Sequence, residues 1–274
     1  MNYFNNMATT LKLISKEELI VKFKEIEARG WIKCPPKRKK NDGSVGNLLE
    51  DLLGIPENNL PIPNAAEWEL KAQRAETSSL VTLCHQEPSP RAAKLVPNML
   101  LPKYGWPHSK AGTEYPEDEM SFRATLNALT HTDRGFKVNV NRKEERVEII
   151  FDSRLCDASV HGDWLEEVKK KAGSGSLPIL PYWGFNDLYT KIGTKLINCF
   201  FVQAETKREG GNLYFHYNNV QMLKNVDKEK FIEAIEKGVI YVDFDARTGH
   251  NHGTKFRIKS KDIPELYKEA IKVV

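Results

Sequence analysis

The sequence predicts a mixed α/β protein in which helices flank a central sheet of mixed strand direction. Amphipathic segments with apolar residues at helical spacing recur along the chain, separated by β-branched and aromatic runs that alternate as strands do. The two kinds of segment are interleaved and no internal repeat is visible. With 274 residues and 40% hydrophobic side chains, the chain can bury a substantial interior.

The first element is a helix from Ser15, where Ser15 and Glu18 form a capping box, Leu19, Phe23 and Ile26 share one side, and Gly30 stops the run. The run CPPKRKKNDGS follows, with two prolines, the cations Lys37, Arg38, Lys39 and Lys40, and a polar turn. VGNLLEDLLGI reads as a short helix ended by Gly54, carrying Glu50 and Asp51. After the Pro- and Asn-rich PENNLPIPN come AAEWELKAQR and SSLVTLCH, expected to be adjacent strands joined as a hairpin. Residues 86–134 show little periodicity and are expected to form long loops with short helical pieces.

GFKVNV and RVEIIF form a strand pair turned at residues 141–145, and KKAGSGSLP is the best linker-like stretch. Beyond it the pattern predicts a helix over 185–194, strands at LINCFFVQAET and NLYFHYNNV, a helix over 227–238, strands at VIYVDFDAR and TKFRI, and a closing helix at IPELYKEAIK. This order divides the chain into an N-terminal part (1–135), a strand pair and linker (136–175) and a C-terminal part (176–274).

No apolar run approaches the ~20 residues of a membrane-spanning helix. Residues 1–10 are polar, expected to be loose, and lack the pattern of a secretory signal, so an intracellular, cytoplasmic protein is expected. Cys34, Cys84, Cys156 and Cys199 are widely spaced, with no zinc-ligand pattern, and read as reduced, packed thiols. A net charge of +4 permits a polyanionic partner without requiring one, so local clustering must carry that argument. Trp31, Trp68, Trp183, Phe200, Phe201 and Phe215 read as core.

The most informative segment is PNAAEWELK. On a strand Glu69 and Lys71 project to one side while Trp68 and Leu70 pack on the other, which delivers a carboxylate and an ammonium to one point. A hard divalent cation on such a carboxylate can hold a scissile phosphate, and the ammonium can stabilise developing charge or position water. Glu-x-Lys alone is as common in surface ion pairs. Its setting adds to it: Glu50 lies on an upstream helix and the oxygen donor Asn64 shortly before the strand.

In series, KRKKNDGSVGNLLEDLL, PNAAEWELKAQRAETSSLVTL, SPRAAKLVPNMLLPKYG, LPYWGFNDLYTKIGTKL, QAETK, YFHYNN, IEKGVIYVDFDAR and HNHGTKFRI resemble the MvaI/BcnI restriction endonucleases, MutH-like members of the PD-(D/E)XK nuclease superfamily. The resemblance covers residues 37–258. It implies a restriction-endonuclease-like core with a smaller DNA-recognition lobe, acting as a monomer on double-stranded DNA. Catalysis is implied for Glu50, Asn64, Glu69 and Lys71, with Mg2+, or Mn2+ in its place, on Asn64, Glu69 and the carbonyl of Leu70. Products with 5′-phosphate and 3′-hydroxyl ends are implied too.

Asn64 departs from the family pattern, which has a metal-binding aspartate there. Three explanations stay open: a variant that works with Asn64, a site in which Glu67 substitutes, or an inactivated nuclease. The alternatives to a type II restriction enzyme are therefore a sequence-specific DNA-binding protein with a decayed centre and a MutH-like nicking repair nuclease.

The C-terminal run VDFDARTGHNHGTKFRI offers donors and acceptors suited to base edges. The resemblance places Asp243, His250 or His252, and Arg257 at the bases; Arg247, spaced differently from the family pattern in a shorter turn, and Lys255 are further DNA-contact candidates of the same run. Read without it, the same run is a solvated hairpin or a zinc site. The cations at 37–40, Arg74, Arg91 and Arg123 are candidates for phosphate contacts.

Overall fold

The computed structural model describes residues 14–38, 43–55, 67–173 and 175–274. Asn64, Lys39, Lys40, the turn before Gly43 and residues 1–10 lie outside them. In chain order the elements are α1 (Lys16–Ala28), β1 (Ile32–Lys33), α2 (Ser44–Leu53), β2 (Trp68–Arg74), β3 (Val81–His85), α3 (Leu101–Tyr104), β4 (Trp106–Pro107), β5 (Met120–Leu126), β6 (Arg134–Asn141) and β7 (Arg146–Cys156). They continue with α4 (Ala158–Ala172), β8 (Tyr182–Gly184), α5 (Phe185–Lys195), β9 (Asn198–Glu209), β10 (Asn212–Val226), α6 (Lys228–Glu236), β11 (Ile240–Arg247), β12 (His250–Asn251), β13 (Lys255–Ile258) and β14 (Tyr267–Lys272). Among the described residues no helix is long and apolar enough to cross a membrane. All four cysteines are free, and Cys34, Cys84 and Cys199 are buried.

The chain forms two compact units. The first comprises Met1–Thr77, Ile197–Leu223 and Ala270–Val274; the second comprises Ser78–Leu196 and Lys224–Glu269. In the first, the strand order is β1-β10-β9-β2, with β14 also on β10. The β9–β10 turn is made by Gly210 and Gly211, both at positive φ, the combination a two-residue hairpin turn of this hand requires. Helix α1 starts on the reciprocal Ser15–Glu18 box, and α2 ends where Gly54 takes the left-handed conformation. Both helices bury their apolar sides (Leu19, Phe23, Ile26; Val45, Leu48, Leu49, Leu53) in one core with Trp68, Leu70, Phe200, Val202, Phe215 and Tyr217. Tyr217 keeps its hydroxyl satisfied there by donating to the Val45 carbonyl at 2.8 Å, and burial pushes its acidity far below that of an ordinary tyrosine.

The second unit holds a six-stranded sheet, order β3-β13-β11-β5-β4 with β12 on β11, and a three-stranded sheet β6-β7-β8. A run of rings joins the two: Phe244 to Phe122 at 5.4 Å, Phe122 to Phe136 at 5.4 Å, and Phe136 to Phe151 at 4.8 Å between centroids. The KKAGSGSLP stretch belongs to this unit, and the Ser153 amide donates to the Gly175 carbonyl at 3.1 Å.

Several expectations are overturned. AAEWELKAQR and SSLVTLCH form no hairpin: β2 lies parallel to β9, and β3 pairs with β13 in the other sheet. The closing segment is the strand β14, because the free side of β10 offers a hydrogen-bond ladder that overrides its helical periodicity. Residues 86–134 contain the seven-residue strand β5, paired along its length with β11. Helix α4, capped by Asp157, has no counterpart in the periodicity because it buries only Leu165 and Val168. Trp31 is not core: it is 39% exposed and stacks near His216 and the Lys207 ammonium.

Candidate active site and candidate DNA-facing sheet

Among the described residues strand β2 is the end strand of the first unit's sheet, and it separates two kinds of side chain. Trp68 and Leu70 enter the core, where Trp68 meets Phe200 at 4.7 Å, while Glu69, Lys71 and Gln73 take the opposite face. Glu69 Oε1 and Lys71 Nζ lie 2.9 Å apart, with side-chain exposures of 3% and 17%. A buried charge is tolerated where its opposite is adjacent, and a largely desolvated pair acts more strongly on a nearby phosphate than a surface pair does.

The same face continues onto β9, where Gln73 stands opposite Gln203, which accepts from Asn219 Nδ2 at 2.8 Å. These carboxamides have no motif, and only the parallel β2–β9 register brings them beside the acid–ammonium pair.

Glu50 is half-buried on α2, which packs on the Trp68–Leu70 side of β2. Its neighbour Asp51 accepts twice from Arg38, at 2.9 and 3.1 Å, and that hydrogen bond holds the Asp51 carboxyl below the usual carboxylate range. Glu67 is exposed. Arg74 donates to Ser44 Oγ at 3.0 Å and lies 5.6 Å from the Phe215 ring. Arg91, in the second unit, is 3.5 Å from Asp187.

In the second unit, strands β5, β11 and β13 set charged groups in rows on one face, while Phe122, Phe244 and Phe256 fill the other. Asp243 accepts from Thr125 at 2.7 Å and from Arg257 at 3.2 Å. Asp245 is 2.9 Å from Arg123 and 3.0 Å from Lys255. Burial raises the Asp245 carboxyl, but the hydrogen bond from Lys255 and the charges of Lys255, Arg123 and His252 outweigh it and hold the group below its ordinary value. Arg247 pairs with the buried Glu119 at 3.0 Å and lies 4.7 Å from the Tyr115 ring.

His250 and His252 are exposed on the β11–β13 connection, their rings 4.2 Å apart. Glu87 anchors that connection by accepting from the Thr254 amide at 2.8 Å. Asp243, Arg247, Lys255 and Arg257 are thus brought onto one sheet, with the histidines at its rim. Glu119, Thr125 and Glu87 join them from segments whose sequence gave no sign of it. Among the described residues no group of three or more His, Cys, Asp and Glu has a geometry that could hold a metal ion, so the hairpin is not a zinc site of that kind.

The model of the MvaI/BcnI restriction endonuclease family matches residues 20–267, and the chain belongs to that family. Membership makes it a nuclease that acts on DNA. No curated protein matches it. Among solved structures, the complex of restriction endonuclease MvaI with its cognate DNA substrate is similar over 95% of this chain and 99% of its own, with a TM-score of 0.74 and 22% identity. MvaI in the absence of DNA is similar over 93% and 98%, with a TM-score of 0.51 and 20% identity. Both are likenesses of fold.

Proposed function

We propose that this protein is a Mg2+-dependent type II restriction endonuclease that hydrolyses double-stranded DNA at a short specific sequence, leaving 5′-phosphate and 3′-hydroxyl ends. The observation that carries the reading is the Glu69–Lys71 pair, 2.9 Å apart and largely withdrawn from solvent on the edge strand β2. MvaI, of like fold, was solved with its cognate DNA substrate, and DNA in the same role fits the donor-rich sheet of the second unit.

The residues present suit a hard cation that retains much of its water. Glu69 supplies a buried carboxylate and the Leu70 carbonyl lies between the pair on β2, whereas Glu50 is on the helix packed against the opposite, Trp68–Leu70 face of that strand. Asn64 would add an amide oxygen. A divalent ion held there supplies Lewis-acid neutralisation of the scissile phosphate. Lys71 orients the attacking water and faces the negative charge that grows on the phosphoryl oxygens. Glu69 fixes the Lys71 ammonium so that this charge is in place before the reaction. Asp243, Lys255, Arg257, Arg247, His250 and His252 read base edges, Arg74 and Arg91 meet phosphates, and the enzyme works as a monomer.

Incubating supercoiled plasmid with the protein in Mg2+, in Mn2+ and in EDTA tests the reading, and sequencing the fragment ends gives the site. Wild-type protein is expected to cut to linear products only with metal, and Lys71→Ala to bind the same DNA without cutting. Specific binding by both proteins with cleavage by neither would establish a DNA-binding protein with a decayed centre. Nicked circles as the end product would establish a nicking enzyme.

A further inference from the structure

The arginines on the charged sheet of the second unit differ in how much of each guanidinium is already committed. Arg257 gives Nη1 to Asp243 at 3.2 Å and Nη2 to the Leu80 carbonyl at 2.7 Å, and its Nε is buried. Arg247 gives Nη1 to Glu119 and lies against Tyr115. Their side chains are 28% and 31% exposed. Arg123 is 56% exposed, and its shortest approach to Asp245 is from Nε to Oδ1 at 2.9 Å.

That geometry is a buttress. An ion pair on the Nε side restrains the guanidinium and leaves Nη1 and Nη2 available as a paired donor, the shape that matches O6 and N7 of guanine in the major groove. Asp245 is itself held by Lys255 on its second oxygen at 3.0 Å, so the buttress has little freedom to turn. The position is set by register: Arg123 lies directly opposite Asp245 in the antiparallel β5–β11 pair.

We propose that Arg123 is a base-reading residue that recognises a guanine through its Nη1–Nη2 edge, with Asp245 as its positioning residue. The inference rests on the reading of this sheet as the base-reading surface and assigns the guanine contact to a strand outside the C-terminal hairpin.

The test measures binding of duplexes carrying the cleavage site, with Ca2+ in place of Mg2+ and each guanine replaced in turn by 7-deazaguanine, which lacks the N7 acceptor. Wild-type protein is expected to lose on the order of ten-fold or more at one guanine. Arg123→Ala is expected to show no further loss at that guanine and to tolerate other base pairs there. Arg123→Lys keeps the charge and is expected not to restore discrimination, because an ammonium cannot reproduce the paired donors. Asp245→Asn is expected to weaken discrimination at the same guanine.

Arg123→Ala binding that falls equally on every duplex, with a salt dependence shallower by about one phosphate contact, would make Arg123 a backbone contact and overturn the assignment. Unchanged binding would overturn it as well. Lys255→Ala and the double variant His250→Ala, His252→Ala separate this from failure of the wider reading. If they alter discrimination and Arg123→Ala does not, only the present inference is lost. If none of them alters it, the sheet is not the base-reading surface.

Discussion

The two units handle charge in opposite ways. On β2 a single acid–ammonium pair sits on a strand whose other face is sealed into an apolar core, and the pair is almost fully withdrawn from water. On β5, β11 and β13 acids and bases stand in rows, each charge shared with a neighbour and several of them open to solvent. Cleavage of a phosphodiester calls for a few desolvated groups held in one geometry. Reading a sequence calls for many donors and acceptors that must neither collapse on one another nor be left buried without a partner.

The largest expected effect tests the first half of that contrast. Lys71→Ala removes an ammonium from a water-poor site, and cleavage rates should fall roughly a hundred-fold or more while DNA affinity, measured by band shift, stays within a few-fold. Loss of affinity and cleavage in equal measure would mean that Lys71 belongs to binding.

The second half is tested by Asp243→Ala. It leaves the Arg257 guanidinium without its carboxylate in a mostly buried position, with an expected cost of about 2–3 kcal/mol in denaturant unfolding. A loss near zero would show that the rows exist for recognition alone and contribute nothing to stability. Tyr217→Phe probes the sealed core behind β2: it deletes the hydroxyl that caps the Val45 carbonyl, and about 1 kcal/mol should be lost.

The smallest effect is expected at Arg38→Ala, whose partner Asp51 is partly open to solvent, so that screening keeps the change within about 0.5 kcal/mol. Its pH dependence has a definite sign. The folded-state acidity of Asp51 is enhanced by Arg38, so the contribution is present above the ordinary carboxylate range and disappears as the pH falls through the depressed value. Unfolding curves of wild type and variant should therefore converge in acid. Divergence there would mean that the pair does not form.

Much of the local structure was legible in the residues. The Ser15–Glu18 box, the stop at Gly54, the β6–β7 hairpin and the strands β9, β10, β11 and β13 follow from capping chemistry and alternation that a short window contains. The errors concern partners. Trp68 to Arg74 reads as a strand from its own composition, but nothing near it indicates a parallel neighbour more than a hundred residues away. Tyr267 to Lys272 carries helical periodicity and becomes a strand because β10 is there to pair with it. Arg123 lies in a segment without periodicity, and its relation to Asp245 exists only through the β5–β11 register.

The sequence by itself determined which short segments become helices and strands, that Glu69 and Lys71 fall on one side of a strand, and, through motifs in series, the family. Tertiary structure decided which strands share a sheet, how the segments group into two units, and which arginine keeps its donors open. The physical reason is range. Capping and alternation act over a few residues, whereas strand pairing, burial and charge compensation depend on groups that meet only once the chain has folded.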